Sequence, residues 1–343
     1  MKKNSLINLT SLLLFLILGI TQVNAQSEIF RINQTYTTIK NIDVQGGALN
    51  VTVYGSDRAD VLVAGFIKGQ ESQKGELVID VVTKGDVLLV KYTGGDSFVG
   101  VSGEIRVLVP IKTSVSVRTQ SGNIDMMSLN GTLFDVSAES GNILAMDITG
   151  KCRLHSVSGK VSSSRIIGNV TTSSLSSAVE TSNVKGLVKI SSASGAIVAG
   201  NIEGDVIVKA GSASTKVVGV KGNVEIRTAS GFSDISELEG NLDVTTASGS
   251  VSINKLNGYL DCETASGDVK ANNVTLVRGA DISTLSGMVS VQVLNGNSDL
   301  TYDLSSVSGK LSAKGVTGER TITSGTGAIV IKGSTVSGNF VIE

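Results

Sequence analysis

Apolar and polar residues alternate over most of the chain. In Leu242-Asp243-Val244, and again in Val251-Ser252-Ile253, every second residue is apolar. A period of two is that of a strand with one buried face. The alternation itself repeats. Glycines stand at Gly150, Gly168, Gly186, Gly204, Gly222, Gly240 and Gly258, 18 residues apart each time. A second column follows serine at each step: Gly122, Gly141, Gly159, Gly195, Gly231, Gly249 and Gly267. From Gly141 onward its spacing is 18 or 36, and Ser177 and Ala213 fill the gaps in register. The unit is two nine-residue halves, as in GNLDVTTASGSVSINKLNG from Gly240 to Gly258.

Neither half can bury its apolar face alone, and stacking the units does so. The pattern therefore predicts an all-β fold, a parallel β-solenoid or β-helix of 18-residue rungs. Crossover preference makes it right-handed. About twelve rungs would occupy residues 116–343. At ~4.8 Å per rung this is a rod of roughly 60 Å. After Gly267 the spacing lengthens, to 20 at Gly287 and 22 at Gly309. The extra residues, around Asn272–Arg278 and Leu294–Asp303, read as bulges or short loops. Gly309, Gly327 and Phe340 read as a return to an approximate 18-spacing. Residues 26–115 hold strand candidates such as ALNVTVYG, DVLLVKY and EIRVLVP but lack the repeat. They read as an irregular N-terminal β region that caps the solenoid, whose open end would expose unpaired strand edges.

Composition agrees with this pattern. The 343 residues include 40 Gly but 1 Pro, Pro110, just before the regular repeats. Proline is excluded where every N–H must join a ladder. The glycines thus mark corners, needed for positive φ or close backbone approach. A formal charge of −1 gives no electrostatic case for nucleic acid.

Residues 1–25 read as a secretory signal peptide. Lys2 and Lys3 form the basic region, Leu12–Ile20 the apolar run, and Val23 and Ala25 the small residues of a cleavage site. The apolar run is too short for a membrane span. No Cys follows it, which argues against a lipid anchor. Cleavage takes the formal charge to −3 and leaves a mature chain without a transmembrane segment. The expected location is the periplasm, the outer surface or the medium.

Cys152 and Cys262 are the two cysteines, and export invites a disulfide. The register argues otherwise. Cys152 shares the Leu242 column and Cys262 the Val244 column, about six rungs or ~29 Å apart. A disulfide needs Cα atoms within about 7 Å. Both read as buried free thiols.

The Ser-Gly serines, Ser158, Ser194, Ser230, Ser248 and Ser266 among them, form a column of their own. Repeated serines without bases make no catalytic set, and stacked hydroxyls bonding the corner backbone explain them. Calcium-binding β-rolls need acids at each corner, and here the corners are Ala-Ser-Gly. Asp261, Glu263 and Asp268 cluster near one corner and read as a solvated outward face. The single histidine, His155, shares a polar column with Ser173, Ser191, Lys209, Arg227, Thr245 and Glu263. That mixture also argues against a flat threonine array of the ice-binding kind. The reading has no catalytic residue, no metal site and no cofactor.

An export signal, an irregular β region, the junction RVLVPIKTSVSVRTQSGNIDM and recurring SGxVxI and GxLxV half-turns resemble the bacterial "putative adhesin" family. This is a domain-of-unknown-function family with a β-solenoid fold, more distantly similar to the head domains of autotransporter adhesins. The resemblance implies an exported, non-enzymatic cell-envelope or surface scaffold that binds a protein or glycan. It brings no catalytic residues. Two alternatives stay open: a polysaccharide-binding or polysaccharide-active β-helix with its site near Asn272–Asp303, and a periplasmic structural or regulatory scaffold.

Overall fold

The computed structural model describes residues 26–94 and 100–343. The signal-peptide reading concerns residues 1–25 and lies outside them. The described residues are almost entirely strand, with short 3-10 turns at Glu71–Gln73 and Asn297–Asp299. The chain is a parallel β-solenoid built from coils of about 18 residues.

One regular coil shows why the sequence winds this way. Val224–Ser230 forms its first strand and Ser233–Glu239 its second. Val224, Ile226 and Thr228 point inward from the first; Ser233, Ile235 and Leu238 do so from the second. Strict alternation would turn Glu237 inward and Leu238 outward. Glu237 instead has a left-handed backbone, with φ of 56°, and this resets the alternation. The same bend recurs at Asp147, Arg165, Asn183, Asn201, Lys255 and Asn273. The coil therefore has a third corner that the glycine columns do not mark.

Each coil hydrogen-bonds to the next 18 residues on: Val224 lies beside Leu242, and Ile235 beside Ile253. The inward columns merge into one core that runs the length of the stack. At the Gly258 corner, a Cβ would overlap the carbonyl oxygen of Gly240 in the preceding coil. Close approach of stacked backbones, more than chain flexibility, keeps this column glycine.

Both ends depart from chain order. Asn41–Gly47 and Asn50–Ser56 form a parallel coil. It lies between the coil of residues 114–130 and an outer coil made by Val87–Thr93 and Ser102–Pro110. The chain thus runs outward, returns over its first coil, and enters the repeats after Pro110. Antiparallel strands close this end. Val61–Gly69 lies on Ser102–Pro110, Ser27–Tyr36 on Val61–Gly69, and Val78–Lys84 on Val87–Thr93.

The C-terminal end uses a similar device. Ile329–Ser337 and Phe340–Ile342 pair on one side with the coil of residues 279–291 and on the other with that of residues 300–313. The last segment of the chain is therefore inserted between two earlier coils. Thr321–Gly325 and Val316–Gly318 close the end as antiparallel strands. This corrects the reading of Gly309, Gly327 and Phe340 as successive rungs. Gly338, not Gly327, stands between Gly287 and Gly309 in the glycine column, and Gly327 meets Asp299 and Leu300. About ten turns are stacked, against the twelve expected from spacing alone. The spacing overcounts because residues 316–325 form antiparallel closing strands, not a rung, and the coils after Gly267 are longer than 18 residues. The stretch Asn272–Arg278 does contain a local insertion: register shifts between Gly258 and Leu260, opposite Val277 and Arg278.

Candidate functional site

The outward side of the coil faces that carry Leu242 and its column equivalents is a field of mostly polar side chains. Two of its columns run along the rod. One holds Arg153, Thr171, Lys189, Ile207, Glu225, Asp243, Asp261 and Asp281. The other holds His155, Ser173, Ser191, Lys209, Arg227, Thr245, Glu263 and Ser283. Because strand residues alternate in direction, both columns stand outward between the inward apolar ones. Rung stacking places like positions ~4.8 Å apart, so charges accumulate along the axis.

The field is zoned. Arg153, Lys189 and Lys209 lie toward the N-terminal half, and Glu225, Asp243, Asp261, Glu263 and Asp281 lie beyond them. Arg227 sits at the boundary. Its guanidinium donates to Glu225 at 2.8 Å, to Asp243 at 3.1 Å and to Thr245 Oγ1 at 2.9 Å. Asp261 lies past the reach of such a bridge. Partial burial pushes its carboxyl above the ordinary carboxylate range, the charges of Asp243, Asp281 and Glu263 push the same way, and the charge of Arg227 opposes them. Tyr259 responds similarly: burial first, then Asp261 and Asp281, raise its phenol, while Arg278 opposes them. The Arg278 guanidinium lies 5.9 Å from the Tyr259 ring centre.

The expected acidic cluster is only partly brought together. Asp261 and Glu263 share one strand face, but Asp268 lies past the Ser-Gly corner, where its carboxylate accepts the Met288 N–H at 2.8 Å. Among the described residues no three His, Cys, Asp or Glu side chains are grouped to hold a metal ion. His155 Nδ1 is 2.7 Å from Ser173 Oγ, its neighbour one rung on.

Gly141, Gly159, Gly249 and Gly267 each back onto the preceding column member, respectively Gly122, Gly141, Gly231 and Gly249; Gly195 and Gly231 back onto Ser177 and Ala213. Ser158, Ser248 and Ser266 are exposed; Ser194 and Ser230 are half-buried. Ser158 Oγ donates to Glu139 O at 3.2 Å, and Ser230 Oγ to Ser212 Oγ at 3.0 Å, so these hydroxyls tie coil to coil. Cys152 and Cys262 are buried and unpaired. Burial pushes each thiol up to about 12, helped at Cys262 by Asp261 and Asp243. Neither is a nucleophile at physiological pH.

Sequence reasoning missed the left-handed corner. Its signal was present: Asn183, Asn201, Gly219 and Asn273 share one register position, and Asn and Gly are the residues that best tolerate this conformation. The column carries its own ladder, with Arg165 bridging Asp147 and Lys255 bridging Glu237 at 3.0 Å.

A family model described as Toastrack DUF4097 matches residues 39–343. No curated protein matches the chain. Among solved structures, the chain is similar to a "putative cell adhesion protein" from Clostridium sporogenes, with 10% identity over 91% of this chain and 99% of that one and a TM-score of 0.18. A "putative adhesin" from Bacteroides fragilis shares 11% identity over 92% of this chain and 97% of that one, with a TM-score of 0.26. Another from Parabacteroides distasonis shares 13% over 92% and 98%, with a TM-score of 0.24.

Proposed function

Because the chain belongs to the Toastrack DUF4097 family, we propose that it is an exported, non-enzymatic scaffold of the cell envelope or cell surface, adhesin-like in use. Its zoned outward face binds a protein or glycan partner. The observation that carries this reading is the charge zoning of one long, nearly loop-free face. Rigid strands hold basic and then acidic side chains in fixed rows, which fits recognition of an extended partner of complementary charge. Among the described residues no helix is long and apolar enough to cross a membrane.

Capture from envelope extracts and glycan arrays tests the proposal. Replacing Asp243, Asp261 and Asp281 by lysine reverses the acidic zone. It should weaken capture about ten-fold or more and remove its sensitivity to salt. Protease accessibility on intact cells separates an outer-surface protein from a periplasmic one. Release of reducing sugar from any polysaccharide at enzyme-like rates would overturn the non-enzymatic reading.

A further inference from the structure

At the C-terminal half of the rod a groove of about 680 Å³ follows the Ser-Gly corner. That volume is in the range of small-molecule sites, roughly 300–1,000 Å³. One wall is apolar. Ala247, Ala265, Leu285, Val336 and Val307 contribute one side chain per rung, and the last three are 59%, 45% and 72% exposed. Large apolar side chains exposed in a continuous row mark a surface that something covers.

The floor is a column of Thr246, Thr264, Thr284, Thr335 and Ser306, in register across five rungs. Their residues line the groove, yet their hydroxyl oxygens are fully buried and make no hydrogen bond. What these side chains turn to the groove is therefore not the hydroxyl, and the floor is apolar despite its residue types. Nearer the N-terminus the same column behaves differently. Ser156 Oγ accepts the Gly159 N–H at 2.9 Å, and Thr228 Oγ1 donates to Ser230 O at 2.9 Å. Leaving a buried hydroxyl unpaired is costly, so the C-terminal stretch is distinct in its chemistry as well as its shape.

The groove is also polar along its length. Arg320 lines its C-terminal end, anchored where its carbonyl accepts the Ser306 N–H at 2.8 Å. Among the described residues its guanidinium has no ion-pair or hydrogen-bond partner. Glu263 lines the groove three rungs away from Ser305, on the far side of Ser283 and Ser334. A negative head group is thus drawn to one end and repelled from the other.

We propose that this groove binds a long-chain carboxylate, its methylene chain laid along the rod axis and its head group on Arg320. An extended peptide fits the wall poorly. Its same-face side chains recur at about 6.6–6.8 Å, while the rungs recur at ~4.8 Å, so it drifts out of register within a few residues. Among the described residues no aromatic ring lines the groove to stack on a sugar. A methylene chain has no such register to keep. The proposal goes beyond the scaffold reading and stands whether or not the charged face binds a partner.

Calorimetric titration of the purified protein with dodecanoate, below its micelle concentration, tests it. Dodecyltrimethylammonium and butyrate serve as the same tail with the opposite head and the head without the tail. Dodecanoate should bind at one site, with both controls weaker by about ten-fold or more. Arg320→Gln should weaken dodecanoate about ten-fold and leave the cationic amphiphile unchanged. Leu285→Glu should abolish binding of both tails, with an unchanged melting temperature showing that the rod is intact. Absence of dodecanoate binding, equal binding of both head groups, or binding indifferent to both substitutions would overturn the proposal.

Discussion

The middle of the rod and its two ends solve the same packing problem differently. In the middle, each coil rests on the one 18 residues before it, and Val206, Val224 and Leu242 succeed one another in space as in sequence. At the ends, space and sequence part. Residues 41–56 lie between two coils that come later in the chain, and residues 329–342 lie between two that come earlier. A stack that simply stopped would present a row of unpaired N–H and C=O groups to other chains. Folding the chain back over its own coils, then laying short antiparallel strands along the outermost, pairs the edges of the parallel stack. Repetition builds the length of a solenoid, and broken repetition closes it.

The largest effect expected from this comparison is at the glycine corner. Gly258→Ala in the middle and Gly338→Ala at the C-terminal end both place a Cβ against a carbonyl of the adjacent coil. Each should cost about 3 kcal/mol or more by urea denaturation. Gly200→Ala is the control. Its nearest neighbour, Val218 O, is 4.0 Å from the added Cβ, and the change should be neutral or stabilising by up to about 1 kcal/mol. If Gly338→Ala were as mild as Gly200→Ala, the inserted coil would not be packed as described.

Next comes Phe340, fully buried in the inserted coil, where Gly333 makes room for its ring. Phe340→Ala should cost about 3–5 kcal/mol. A cost below 1 kcal/mol would show that this coil adds little to the stack.

The left-handed corner of the middle coils should discriminate by residue type. Gly219 has φ of 68°. Gly219→Val should destabilise by about 1–3 kcal/mol, and Gly219→Asn much less, since Asn183 and Asn201 already hold this conformation in the same column. Equal costs for the two would contradict a left-handed requirement at this corner.

The smallest effect is electrostatic. The folded pKa of Asp261 is raised, so its ionisation opposes folding. That penalty is present at neutral pH and vanishes as pH falls below the carboxylate range. Asp261→Asn should therefore stabilise slightly at pH 7, by under about 0.5 kcal/mol in a solvent-screened setting, and not at pH 3, as read from thermal melts at the two pH values. A gain that grew on acidification would reverse the sign of this argument.

The middle of the rod was legible because chain neighbours are space neighbours there. The period placed the two thiols, the Ser-Gly corner and the outward columns from spacing alone. The ends were not. From Gly287 onward the glycine spacing still looked like a stretched repeat, yet Gly338 had slipped between Gly287 and Gly309. A spacing argument carries no information about which coil returns to which. The third corner was legible in principle, but residues as different as Arg165, Glu237 and Lys255 occupy it and hide the Asn and Gly that mark it. The groove was invisible for another reason. It depends on hydroxyls turning inward in some rungs and bonding the corner in others, a choice that Ser and Thr at a fixed register do not reveal.

Whether the last coil is inserted, as against stacked in chain order, is most directly read by paired cysteines at Ser283, Ser305 and Ser334. Ser283 and Ser305 each pair with Ser334 in the structure. In-register neighbours are ~4.8 Å apart, within disulfide reach, while Ser283 and Ser305 are separated by two rungs and exceed the limit of about 7 Å. Oxidation followed by peptide mapping should find a bridge in Ser283→Cys/Ser334→Cys and in Ser305→Cys/Ser334→Cys, and none in Ser283→Cys/Ser305→Cys. A bridge between positions 283 and 305, with none from 283 to 334, would mean that the coils stack in chain order and that the end is not closed by insertion.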